Sequence, residues 1–183
     1  MLSWHKVGQM AAVAALAVSM AGTANAATQG SLGATSTGSV SISASIANRV
    51  RISGLSDVAF TNADPSVDAS NAQNVCVWSN TSTKGYRVTA SGSGTSGAFT
   101  LANASLSVPY AVEWSASSGQ STGSALTNGV AFTGLTSTAT NANCASGPSS
   151  SASLIVKILS SDLQTMQAST SYSGTLTLLV APE

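Results

Sequence analysis

Histidines, cysteines and paired carboxylates carry most side-chain catalysis, and this sequence holds few of them. The only His in 183 residues is His5, at the extreme start of the chain. Asp64 and Asp68 form the closest carboxylate pair, but Pro65 between them opposes the helix face that would aim both at one bond. No base stands beside a Ser, Cys or Lys in a recognisable motif, so covalent catalysis lacks its starting constellation. The same aspartates lack the regularly spaced oxygen ligands of a calcium loop. The expectation is a protein with no catalytic, cofactor-binding or metal-binding residues, and hence no enzyme.

Three other groups of residues have chemical potential. Cys76 and Cys144 are the only cysteines; two thiols without histidine make a poor zinc site, whereas an even pair in an exported chain points to a disulfide. Asn80-Thr81-Ser82 and Asn103-Ala104-Ser105 match the N-glycosylation triplet, which arises often by chance in so Ser- and Thr-rich a chain. Trp78, Trp114, Tyr86 and Tyr110 would suit either a sugar-stacking platform or a sandwich core. The core reading is favoured because they fall in strand-like stretches rather than loops.

The start of the chain explains the compartment. His5 and Lys6 precede the apolar run Met10 to Met20, and Ala24-Asn25-Ala26 fits the small-x-small cleavage rule, so residues 1–26 read as a secretion signal peptide. The run is too short for a bilayer span, which needs about 20 residues. The chain beyond Ala26 is nearly neutral: Arg49, Arg51, Lys84, Arg87 and Lys157 against Asp57, Asp64, Asp68, Glu113, Asp162 and Glu183. Charged residues make up 7% of the sequence, against about a quarter in a typical domain. No Lys/Arg cluster exists to displace counterions, so nucleic acid is not an expected partner.

The elements that would position these residues are short strands. Residues 27–37 carry no period and read as a flexible N-terminal tether. Within Gly38 to Ala47 serine alternates with Val40, Ile42, Ala44 and Ile46, which describes a ribbon with one oily face and one wet face. Such a ribbon on a leash can pair with its own domain or with another molecule's open sheet edge. Strands are then expected around Val50–Ile52, Asp57–Phe60, Gln73–Trp78, Tyr86–Ala90, Ala98–Leu101, Leu106–Trp114, Gly129–Thr133, Leu154–Leu159 and Ser171–Val180. Thr61–Asn71 reads as turn, and Asp162–Ala168 as the one candidate helical turn. Short strands with turn signals between them and almost no helix predict an all-β sandwich over residues 48–183.

Three blocks resemble subunits of bacterial chaperone–usher fimbriae of the colonisation-factor class: GSVSISASIANRVRI near the start, SVPYAVEW in the middle and SYSGTLTLLVAPE at the end. A fourth, CVWSNTSTKGYRVTASG, resembles the spore coat protein U-like secreted pilins. Together they cover about a third of the chain after the leader. The resemblance implies an immunoglobulin-like pilin sandwich that lacks its last strand. Its groove would be filled first by a periplasmic chaperone and then by the N-terminal extension of another pilin subunit. On that reading Val40, Ile42, Ala44 and Ile46 form the donated strand, and Tyr172, Leu176, Leu178 and Val180 form the C-terminal strand at the groove edge. The implied protein passes through the periplasm and an outer-membrane usher to the cell surface, as a fimbrial subunit serving adhesion or biofilm formation. Two alternatives stand beside it. The ribbon is the first strand of a self-complete sandwich, or the chain is a monomeric carbohydrate-binding or tip-adhesin sandwich with a host or surface glycan as partner.

Overall fold

The computed structural model describes residues 26–183, so the signal-peptide reading, with His5 and Lys6, lies outside the described residues apart from Ala26. The chain divides between Ser45 and Ile46. Before that division, Thr28 and Ser39 exchange backbone hydrogen bonds of 2.9 Å in both directions, and Val40 and Ile42 are exposed.

From Ile46 onward the chain is antiparallel β-structure. In order come β1 (Val50–Ser53), β2 (Ala69–Ser79), β3 (Gly85–Gly92), β4 (Thr100–Asn103), β5 (Leu106–Pro109) and β6 (Ala111–Ser115). They are followed by β7 (Ser124–Ala125), β8 (Ala131–Thr136), β9 (Ala152–Ile158), the single-turn α1 (Ser160–Leu163) and β10 (Leu176–Pro182). One sheet has the order β1-β2-β9-β6-β7, a second has β10-β3-β8, and β4-β5 form a separate hairpin. This is the all-β sandwich the strand pattern predicts.

The alternation of side chains explains the layers. Val75 and Val77 of β2, Val112 and Trp114 of β6, and Leu154, Val156 and Ile158 of β9 face Tyr86, Val88 and Ala90 of β3 and Leu135 of β8 across one core. Trp114 ties the sheets together: its ring meets Tyr86 edge-on at 6.5 Å and 76°. Its indole N–H donates to the Tyr86 hydroxyl at 3.2 Å, so the one polar atom of a buried tryptophan is satisfied.

Cys76 alternates with Val75 and Val77 and so faces away from this core. There it bonds Cys144, 68 residues on, in a second small cluster with Ala139 and the half-buried Trp78. Buried serines extend the pairing just before β9 begins and just after β8 ends. Val77 donates to Ser151 Oγ at 2.8 Å, and its carbonyl accepts from both Ser151 Oγ and Ser137 Oγ. Serines can be buried here because each hydroxyl stands in for a missing strand neighbour.

Several boundaries differ from the sequence reading. Leu106–Trp114 is two strands: Pro109 has no N–H to donate, and the chain changes partners there, β5 pairing with β4 and β6 with β9. The inward row Leu106, Val108, Tyr110, Val112, Trp114 survives the break, since only the partner changes. Ala69–Asn71, expected as turn, belongs to β2. Asp57–Phe60 joins no ladder. The helical turn comes earlier than expected, and Tyr172 and Gly174 precede β10 rather than lying inside it. In that stretch only Ser173 pairs, with Ala102.

Candidate partner-binding groove

Beyond Gly54 the chain lines a groove of about 1060 Å³. Its apolar floor comes from Leu154, Val156 and Ile158 of β9, with Tyr110 and Leu163 beside them. Residues 55–63 form one wall, and Leu176 and Leu178 of β10 with the stretch 166–175 form the other. β1 is the outermost strand of the five-stranded sheet, and β10 is an outer strand of its own sheet.

The first wall is held by a side chain instead of a strand ladder. Over Ala69–Val75, β2 pairs only with β9, and Gln73 clamps the chain opposite. Its carboxamide accepts from Ser56 N–H at 2.7 Å and donates to Ser56 O at 3.0 Å. Val58 and Phe60 then pack against the core, half-buried. A row of main-chain groups without ladder partners beside an oily floor is the arrangement that a further strand completes.

Tyr110 is the polar irregularity of the floor. Its ring lies 5.7 Å from that of Phe99, and its hydroxyl is buried without a hydrogen-bond partner. Burial raises its pKa. The Tyr172 hydroxyl, by contrast, accepts from Gln167 N–H at 3.2 Å.

The structure places each residue singled out from sequence. Val40, Ile42 and Ile46 are 71%, 90% and 83% exposed, Ala44 is exposed too, and from Val40 to Ile46 none belongs to a ladder among the described residues. Leu176, Leu178 and Val180 share the half-buried face of β10, which pairs with β3. Trp114 and Tyr86 lie inside the core at 1% and 0% exposure, so neither can stack on a sugar. Asn80 accepts from Arg49 N–H and donates to Ala47 O at 2.9 Å. Asn103 donates to Ser171 O at 2.7 Å. Both asparagines of the glycosylation triplets therefore hold loops in place. Asp64 accepts from the backbone and hydroxyl of Ser66, hydrogen bonds that lower its pKa. Asp68 accepts from Ser160 N–H at 2.7 Å. The two acids thus serve separate local turns.

Sequence reasoning missed the β9 contribution to the floor and the Gln73 clamp. The clue lay in β2: its inward row runs Ala69, Asn71, Gln73, Val75, Val77, and turns polar where the groove begins.

No family model matches this sequence, and no curated protein matches it. Among solved structures, a chain from a chaperone–tip adhesin complex described as vital for synergistic activation of CFA/I fimbriae biogenesis has a TM-score of 0.46 and 16% identity. The likeness covers 74% of this chain and 41% of that chain.

Proposed function

We propose that this protein is a structural subunit of a bacterial surface fimbria, without enzymatic activity, that polymerises by placing its N-terminal strand in a neighbour's groove. The observation that carries the reading is a match within one chain. The sandwich has a groove with one wall, residues 55–63, that joins no ladder, and the chain also supplies an exposed, strand-patterned segment that from Val40 to Ile46 joins no ladder among the described residues. The resemblance of the opening, middle and closing blocks to chaperone–usher subunits supports the same reading. A periplasmic chaperone and an outer-membrane usher are the partners it brings, and the cell surface is the destination.

The energetics need both parts of the match. Burying Val40, Ile42 and Ile46 is worth about 1.5–3 kcal/mol each. Association alone costs about 4–15 kcal/mol, so three side chains roughly break even. Main-chain pairing along both groove walls, on a floor already formed, supplies the surplus.

Reach favours a second molecule over folding back. Asn80 pins Ala47 and Arg49 at the start of β1, whereas the groove lining begins only at Leu55. A segment returning from Ala47 would first have to pass the length of β1, about 13 Å, and so would fill only part of its own groove.

The test is Ile42→Asp together with Ile46→Asp. Export and the thermal midpoint should stay as in wild type, while denaturant-resistant ladders on gels disappear. Long ladders from the double variant would overturn the proposal.

A further inference from the structure

Among the described residues of the sandwich, most charges are sorted by sign along the length of β2. β2 is about 33 Å long from Ala69 to Ser79. At the Ser79 end stand Arg49, whose carbonyl accepts from Asn80 N–H, Arg51, opposite Trp78, Lys84, whose carbonyl accepts from Ser137 N–H, and Arg87, near the start of β3. At the Ala69 end stand Asp64 and Asp68, with Asp162 on α1 just past Ile158, the partner of Ala69, and Asp57 follows Ser56, which is bonded to Gln73 in the Ala69 half of β2, on the groove wall. Lys157 stands near the acidic end, opposite Ser70, but is neutralised by Glu113 in the only ion pair among the described residues, so these eight side chains have no ion-pair partner there. Glu183 is the one acid at the basic end, and its carboxylate accepts from Gly134 N–H at 2.8 Å.

The acidic end is also where the groove lies open, bordered by 55–63 and 166–175. The basic end is where the N-terminal segment joins the domain, at Ala47 and Arg49. Resting on the strand-donation reading above, we infer that the basic end of each donor subunit docks on the acidic end of the subunit whose groove it fills, a head-to-tail contact between two copies of this chain. Of the two ways a strand could lie in the groove, one brings Arg49 and Arg51 of the donor beside Asp57 and Asp162 of the acceptor. The other sets the two basic ends together. Unlike charges speed the encounter and like charges disfavour the wrong orientation.

The experiment monitors ladder formation by the chain from Ala27 onward at about 20 mM and about 500 mM ionic strength. Between these the screening length falls from roughly 20 Å to about 4 Å. Three charge variants are compared with wild type: Arg49→Glu with Arg51→Glu, Asp57→Lys with Asp162→Lys, and the four substitutions combined. Thermal midpoints are measured for each. At low salt each pair should slow assembly about tenfold. The combined variant should recover most of the rate, and the differences should shrink at high salt. Wild type itself should slow as salt rises, which tests the inference even if a variant folds poorly. Rates indifferent to salt, or a combined variant no faster than either pair, would overturn the contact. Failure of wild type to form ladders at all would instead count against strand donation itself.

Discussion

Tyr110 and Glu113 show how two side chains three residues apart answer to different surroundings. Tyr110 carries a buried hydroxyl with no partner, a penalty of about 1–3 kcal/mol in comparable sites. Tyr110→Phe keeps the ring and removes the penalty, so urea denaturation should show stability unchanged or raised by up to about 1 kcal/mol. A clear loss would mean that the hydroxyl has a partner in solution. Glu113 of β6, facing away from the inward row that holds Tyr110, accepts from Lys157 at 2.7 Å and from Gly123 N–H at 2.9 Å. The Lys157 hydrogen bond is the main cause of its lowered pKa. A carboxyl whose pKa falls on folding adds stability above its unfolded pKa, and that stability is lost as pH falls through the folded value. The pair is partly exposed, so the effect is small, about 0.2–1 kcal/mol. Wild type should lose that increment as pH falls from the ordinary glutamate pKa, about 4.3, through the lower folded value, and Glu113→Gln should lack that part of the pH dependence.

Among the elements, the stretch from Gly54 to Phe60 deviates most from regular β-structure. It comes after an edge strand but joins no ladder, and Gln73 replaces the missing pairing with two side-chain bonds. Each bond is worth about 0.5–1.5 kcal/mol net. Gln73→Ala should therefore cost about 1–3 kcal/mol and speed hydrogen exchange at Ser56 and its neighbours, while β9 amides keep their protection. Uniform loss of protection across both sheets would instead make Gln73 a core residue. The break at Pro109 is likewise legible only in part. Proline marks an interrupted ladder, but only the two different partners, β4 for β5 and β9 for β6, show that the chain changes sheets there.

For the molecule as a whole, stability rests on one apolar core, one disulfide and very few charges. The Cys76–Cys144 bridge lies outside the main core, on the far face of the five-stranded sheet. Closing a loop of 68 residues is worth about 4 kcal/mol in the chain-entropy account. Cys76→Ser with Cys144→Ser should lower the denaturant midpoint by that free energy and leave the core aromatic signal of Trp114 intact. A loss below about 1 kcal/mol would show that the 137–151 segment is held by its serine bonds alone.

Composition and period determined much of this unaided. Alternation of period two, turn residues at short intervals and the scarcity of helix patterns fixed the strand class, because side chains on a pleated ribbon must sort by face. The two cysteines allowed a single pairing. What only the tertiary structure decided is which faces meet and where they fail to meet. Val156 and Ile158 read as ordinary core residues until β9 is seen to run under a gap. Gln73 reads as a polar interruption until Ser56 is found opposite it, and the sorting of charge by sign appears only along the length of β2. Periodicity reports the environment of each face of a strand, whereas a groove is a property of the space between strands distant in sequence.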